Sequence, residues 1–73
     1  GGVLLSGVRE GSPAALAGLA AGDVIVRFDD VTVDNLYDYA YALRSRKPGQ
    51  AVRLGIRRGE GVITLVVTLG RRP

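Results

Sequence analysis

Three serines, seven carboxylates, three tyrosines and ten cations carry whatever chemistry this chain of 73 residues can do. It has no His and no Cys. A serine nucleophile needs a base beside it, and Ser6, Ser12 and Ser45 have no imidazole to call on. The same two absences remove the commonest metal ligand, every thiolate and any disulfide framework. Asp29-Asp30 is the only adjacent carboxylate pair. Neighbours on a turn point apart rather than at one ion, so the pair reads as a turn. Gly59-Glu60-Gly61 precedes no helix start and therefore reads as a hairpin turn, not a phosphate cradle. These residues point away from a self-contained catalyst and towards a binding module, with no metal site and no cofactor expected.

The cations are nine Arg and one Lys against seven acidic residues, for a net charge of +3. Among the arginines, only Arg57-Arg58 and Arg71-Arg72 are adjacent pairs. Four aromatics, three of them in one helix-like segment, offer little surface for stacking bases. The basic balance is therefore read as a solvated surface, with no nucleic-acid partner expected. No apolar run approaches the roughly 20 residues that cross a bilayer, so no membrane span is expected.

The elements that must position any site follow from spacing. Residues 2–9 (GVLLSGVR) are apolar and β-prone between glycines, and predict a strand. Ser12 is a good N-cap, Pro13 suits the first helical position, and Gly18 ends a helix of little more than one turn. Residues 24–28 alternate, with Val24, Val26 and Phe28 on one face. Residues 31–33 predict a short strand. Residues 35–46 predict the main helix, with Asn35 and Asp38 arranged as a capping box and Pro48-Gly49 as the stop. On that helix Leu36, Tyr39, Ala40 and Leu43 fall within an arc of about 100°. Residues 51–56 and 62–69 alternate on either side of the glycine turn and predict a hairpin, followed by a basic tail. The whole is read as one domain over residues 1–73, α+β, a partly open antiparallel barrel of about five strands with two helices. The expected core is Val3 or Leu4 with Leu5, Val8, Leu16, Leu19, Val24, Val26, Leu43, Val52, Leu54, Leu65 and Val67.

Ser12-Pro13-Ala14, then Ala17-Gly18-Leu19, then Gly22-Asp23-Val24-Ile25 resembles the signature of a PDZ domain. The order of elements after it is similar to bacterial PDZ domains, in which a last strand takes the place that the first strand fills in animal versions. The second helix, with Asn35, Leu36, Tyr37, Asp38 and Tyr39, most resembles PDZ-like domains attached to bacterial zinc aminopeptidases. Trypsin-like heat-shock serine proteases and carboxy-terminal processing proteases carry related modules. The resemblance implies a module that adds an extended peptide, usually a protein C-terminus, as a strand beside the longer helix. It implies a peptide-binding set of Leu36, Tyr39, Ala40, Leu43 and Arg44. Some PDZ domains place a His where Leu36 stands, so the resemblance implies an apolar ligand side chain there. It also implies a bacterial envelope or secreted setting, and a catalytic domain in the parent protein as a partner. The alternative reading is a structural interaction domain with a closed or unused groove.

One departure stands out. PDZ domains hold the ligand carboxylate on a Gly-apolar-Gly-apolar loop upstream of the peptide-pairing strand. Gly1-Gly2-Val3-Leu4 lies too close to Ser12 to be that loop, so loop and strand are expected to be missing from this chain. An unpaired sheet edge would follow, and with it self-association through that edge.

Overall fold

The computed structural model describes residues 1–69; the basic tail expected at 70–73 lies outside them. The elements run β1 (Val3–Leu4), α1 (Pro13–Leu16), β2 (Val24–Phe28), β3 (Val31–Thr32), α2 (Leu36–Arg44), β4 (Ala51–Arg58) and β5 (Gly61–Thr68). The strands form one antiparallel sheet in the order β1-β2-β4-β5, with β3 also paired to β2. This is the expected α+β class, five strands and two helices in an open sheet.

Local chemistry sets most boundaries. The Ser12 hydroxyl accepts the Ala15 amide at 3.2 Å, which caps α1. Gly18 then turns the chain at φ +99°, a conformation that costs a side chain dearly. The β4–β5 hairpin pairs along its whole length, with Leu54 opposite Leu65 and Ile56 opposite Ile63. One strand is shorter than expected. Residues 2–9 pair with β2 only at Val3–Leu4, and the contact ends at Leu5, which donates to the Asp23 carbonyl and accepts from the Gly22 amide, both at 2.8 Å.

The core consists of Leu19, Ile25, Phe28, Val33, Ala42, Val52, Leu54, Ile56 and Val67. This corrects the expected core at β2. Strict alternation put Val24 and Val26 inward, and the expected core left out both Ile25 and Phe28. The register between β2 and β4 slips between Ile25 and Arg27, an extra residue that flips the strand's parity. Ile25 and Phe28 therefore both face inward, while Val24 and Val26 are half-buried. Leu16, expected as an anchor of α1, is 81% exposed, and Leu19 does the anchoring. A helix of one turn can turn only part of its face inward, and α1, lying against β5, turns Ala14 and Ala17. Leu43 is also more exposed than a core residue.

Candidate functional site

The main helix α2 is anchored at both ends. The Asn35 side chain accepts the Asp38 amide at 3.0 Å, and the Asp38 carboxylate accepts the Asp34 amide at 3.0 Å. This is the expected reciprocal cap, with the shorter Asp reaching the residue before the cap. At the other end the Ser45 hydroxyl donates to the Ala42 carbonyl at 2.6 Å.

Three lines of side chains run along α2. The first faces the core. Tyr39 sets its ring edge-on to Phe28, with centroids 6.0 Å apart, and Ala42 is buried. Burial raises the Tyr39 phenol above its ordinary value. Arg46, just past the helix, continues this line over the Phe28 ring at 5.8 Å. The second line is the flank formed by Leu36, Ala40 and Leu43. Leu36 is 66% exposed, Ala40 half-buried and Leu43 partly exposed. The third faces water: Tyr37 and Tyr41 are open, with Arg44 exposed beside them.

So the five residues expected to line a groove are not on one line. Leu36, Ala40 and Leu43 share the flank. Tyr39 points at Phe28. Arg44 sits on the outer shoulder. Spacing alone placed Tyr39 within the same arc. Only the position of Phe28 beneath the helix shows that the buried axis passes through Tyr39 and Ala42 instead.

Beside the flank lies the start of the chain. The Gly2 amide donates to the Asp34 carbonyl at 2.8 Å, which holds β1 next to the beginning of α2. Gly2 has φ +119°, and a Cβ there would come within 2.7 Å of the Val24 side chain and 2.8 Å of the Ile25 carbonyl oxygen, so only glycine fits. Leu5 bonds with Asp23 and Gly22 on the β2 side. Antiparallel pairs alternate, so the Leu4 amide and carbonyl point the other way. Among the described residues β1 pairs with β2 alone, which leaves that outer edge open. At the far end of the flank, Leu43 joins Arg46, Pro48 and Leu69 around a cleft of about 280 Å³. Arg46, Pro48 and Leu69 were not anticipated there. Arg46 and Pro48 follow α2 directly, whereas Leu69 follows β5, and no spacing in the sequence brings it to them.

Two ion pairs brace this frame. Asp23 is 2% exposed and is held by the Arg58 guanidinium at 2.8 and 2.6 Å and by the Ala20 amide at 2.9 Å. Arg58 brings its carboxyl down from 3.8 to about 2, against the opposing pull of burial. Asp29 stands at φ +53°, and its carboxylate takes the Arg53 amide at 2.8 Å and the Arg46 guanidinium at 2.7 Å. The bond from the Arg53 amide and the pairing with Arg46 lower its carboxyl, with burial opposing. The turn expected at Asp29-Asp30 is therefore also a tie between β2, β4 and the end of α2.

Residues 5–58 match the family described as the PDZ domain. The serine protease Do-like HtrA of Lactococcus lactis subsp. cremoris is 38% identical over 71 residues, 97% of this chain and 17% of that protein. The PDZ domain of an SdrC-like protein from Listeria monocytogenes superposes with a TM-score of 0.84 at 26% identity, over 94% of this chain and 72% of that one. An HtrA-type protease, AlgW, solved with a decapeptide, superposes with a TM-score of 0.85 at 28% identity, over 96% of this chain and 21% of that one. The chain spans between 8% and 17% of the length of the curated relatives it matches.

Proposed function

The chain belongs to the PDZ-domain family, and we propose that it binds an extended, apolar-ended peptide, a protein C-terminus, as an added strand beside α2. It is a protein-interaction module with relatives in HtrA-type serine proteases, and not itself a catalytic domain. The observation that carries the finer reading is the flank of α2. Leu36 and Leu43 stay exposed on a helix whose core-facing line is already filled by Tyr39 and Ala42. An apolar line left beside a filled one is a surface that a ligand side chain can cover. The open side of β1, held at the start of the same helix, offers main-chain groups to an extended backbone. The decapeptide of the AlgW structure supports a peptide ligand by kinship. In a longer parent, the module would bring substrate to a peptidase or position the catalytic domain.

Titration of the chain with peptides ending in an apolar residue, as free acid and as C-terminal amide, tests this. The free acid is expected to bind the more tightly in a parent that carries the upstream Gly-apolar-Gly-apolar loop. Leu36→Asp is expected to weaken binding about tenfold or more while leaving the thermal midpoint in place, because Leu36 lies outside the core. Equal binding by the variant and the parent chain would remove α2 from the site. Equal binding by acid and amide in that parent would remove the preference for a terminus.

A further inference from the structure

The arginines in or tied to the sheet, Arg27, Arg46, Arg53, Arg57 and Arg58, divide into two kinds. Arg46 and Arg58 each grip a carboxylate. Arg27, Arg53 and Arg57 do not: no ion pair joins any of them to an acidic residue among the described residues. Asp29, close enough to Arg53 to feel its charge, is already held by Arg46 and by the Arg53 amide.

The register gathers these three. Arg27 on β2 lies opposite Gly55 on β4, and Phe28 and Leu54, the next pair along, are both buried. Arg27 and Gly55 therefore face outward. Arg53 and Arg57 stand two residues either side of Gly55, on the same face and about 7 Å from it along the strand. Gly55 has no room for a side chain, since a Cβ there would meet the Arg27 Cβ at 2.8 Å. Arg53 and Arg57 thus flank a glycine whose backbone is buried against the Arg27 side chain. Thr32 lies across from Arg27, and Thr64 across from Gly55. Val62 and Val66, opposite Arg57 and Arg53, complete the face and are more than half exposed. No Asp or Glu occurs anywhere in the five strands.

We propose that this outer face of the β2–β4–β5 sheet is a second docking surface, taking an acidic, extended segment of a protein partner. Three guanidinium groups on one face with no ion-paired acid leave a local excess of positive charge, which carboxylates laid across them would neutralise. Carboxylates spaced two residues apart on an extended chain repeat at about 7 Å, which matches the step from Arg53 to the Arg27–Gly55 position and on to Arg57. Arginine binds carboxylate through paired N–H donors, and the threonine hydroxyls and valines suit the polar and apolar side chains between the acids. The face carries no aromatic for stacking bases. Phe28 is buried within, and Tyr39 lies over Phe28 on the inner side. This surface is separate from the flank of α2, and neither depends on the other.

The probe is a ten-residue peptide alternating Glu with Val and Thr, acetylated and C-terminally amidated so that it offers no free terminus to α2. Amide shifts in two-dimensional NMR are expected to move at Thr32, Gly55 and Thr64 and to stay still at Leu36 and Ala40. Affinity is expected to fall about tenfold between low and high salt. Arg53→Gln and Arg57→Gln are each expected to weaken binding about two- to fivefold, and the triple Gln variant with Arg27 by about tenfold or more. Leu36→Asp is expected to leave it unchanged. The surface would be refuted by full binding to the triple variant with an intact NMR spectrum, or by shifts confined to α2. Tighter binding to a single-stranded oligonucleotide or to anionic vesicles than to the peptide would overturn the protein partner. Should the triple variant fail to fold, the two single variants decide the matter alone.

Discussion

Asp23 is the one buried charged residue in the described chain, and its neighbours explain why it can be charged there. Two bonds from Arg58 and one from the Ala20 amide replace the water it has lost. A carboxyl whose folded value lies below its unfolded one stabilises the fold above the unfolded value and loses that contribution as the pH falls to the folded value. For Asp23 the window runs from 3.8 down to about 2. The thermal midpoint is therefore expected to drop through that window, with Asp29, also lowered, adding to the loss. Asp23→Asn is expected to lower the midpoint at neutral pH and to flatten the acid limb. An unchanged acid limb in a pH series of melts would show that this pair contributes nothing. The Asp23 position was legible as part of the Gly-Asp-Val-Ile signature. Its partner was not, because Arg58 is 35 residues away and nothing distinguishes it locally from Arg57.

At the scale of elements, short helices and bulged strands show where sequence patterns stop being enough. The residues of α1 marked it as a capped single turn, and its cap formed as expected. Which leucine it buries depended on how the turn meets β5. The consequence is measurable: Leu16→Ala is expected to change stability by less than about 0.5 kcal/mol, and Leu54→Ala to cost about 2–5 kcal/mol. Similar losses for both in denaturant titrations would contradict the orientation of α1. In β4 and β5 the alternation was readable residue by residue, since an unbroken hairpin keeps its period of two. In β2 a single slipped residue reversed the faces, and Ile25 took the place expected of Val24 and Val26. In α2 the apolar arc left out Ala42, the buried residue of the helix. The centre of the buried face was set by Phe28, which drew Tyr39 to the core and left Leu36, Ala40 and Leu43 beside it.

Taken whole, the molecule is tight yet open-edged. Its radius of gyration is 11.4 Å, close to the roughly 11 Å expected of a compact domain of this length. A domain so small hides only about 60% of the surface of its unfolded chain, so a loss of a few kcal/mol is a large share of its stability. The outer edge of β1 has no partner among the described residues, and open edges recruit other chains. Sedimentation velocity over a hundredfold range of concentration is expected to show the 73-residue chain self-associating. A single monomeric boundary throughout would count against an available edge. Caps, turns, alternation along the hairpin and the PDZ signature were all determined by the sequence alone, because each depends on residues within a few positions of one another. The faces of β2, the buried axis of α2, the pairing of Arg46 and Arg58 with carboxylates 17 and 35 residues away, and the gathering of Arg27, Arg53 and Arg57 around Gly55 were decided only in three dimensions. Those contacts depend on strand register, and a shift of one residue in register changes every neighbour at once.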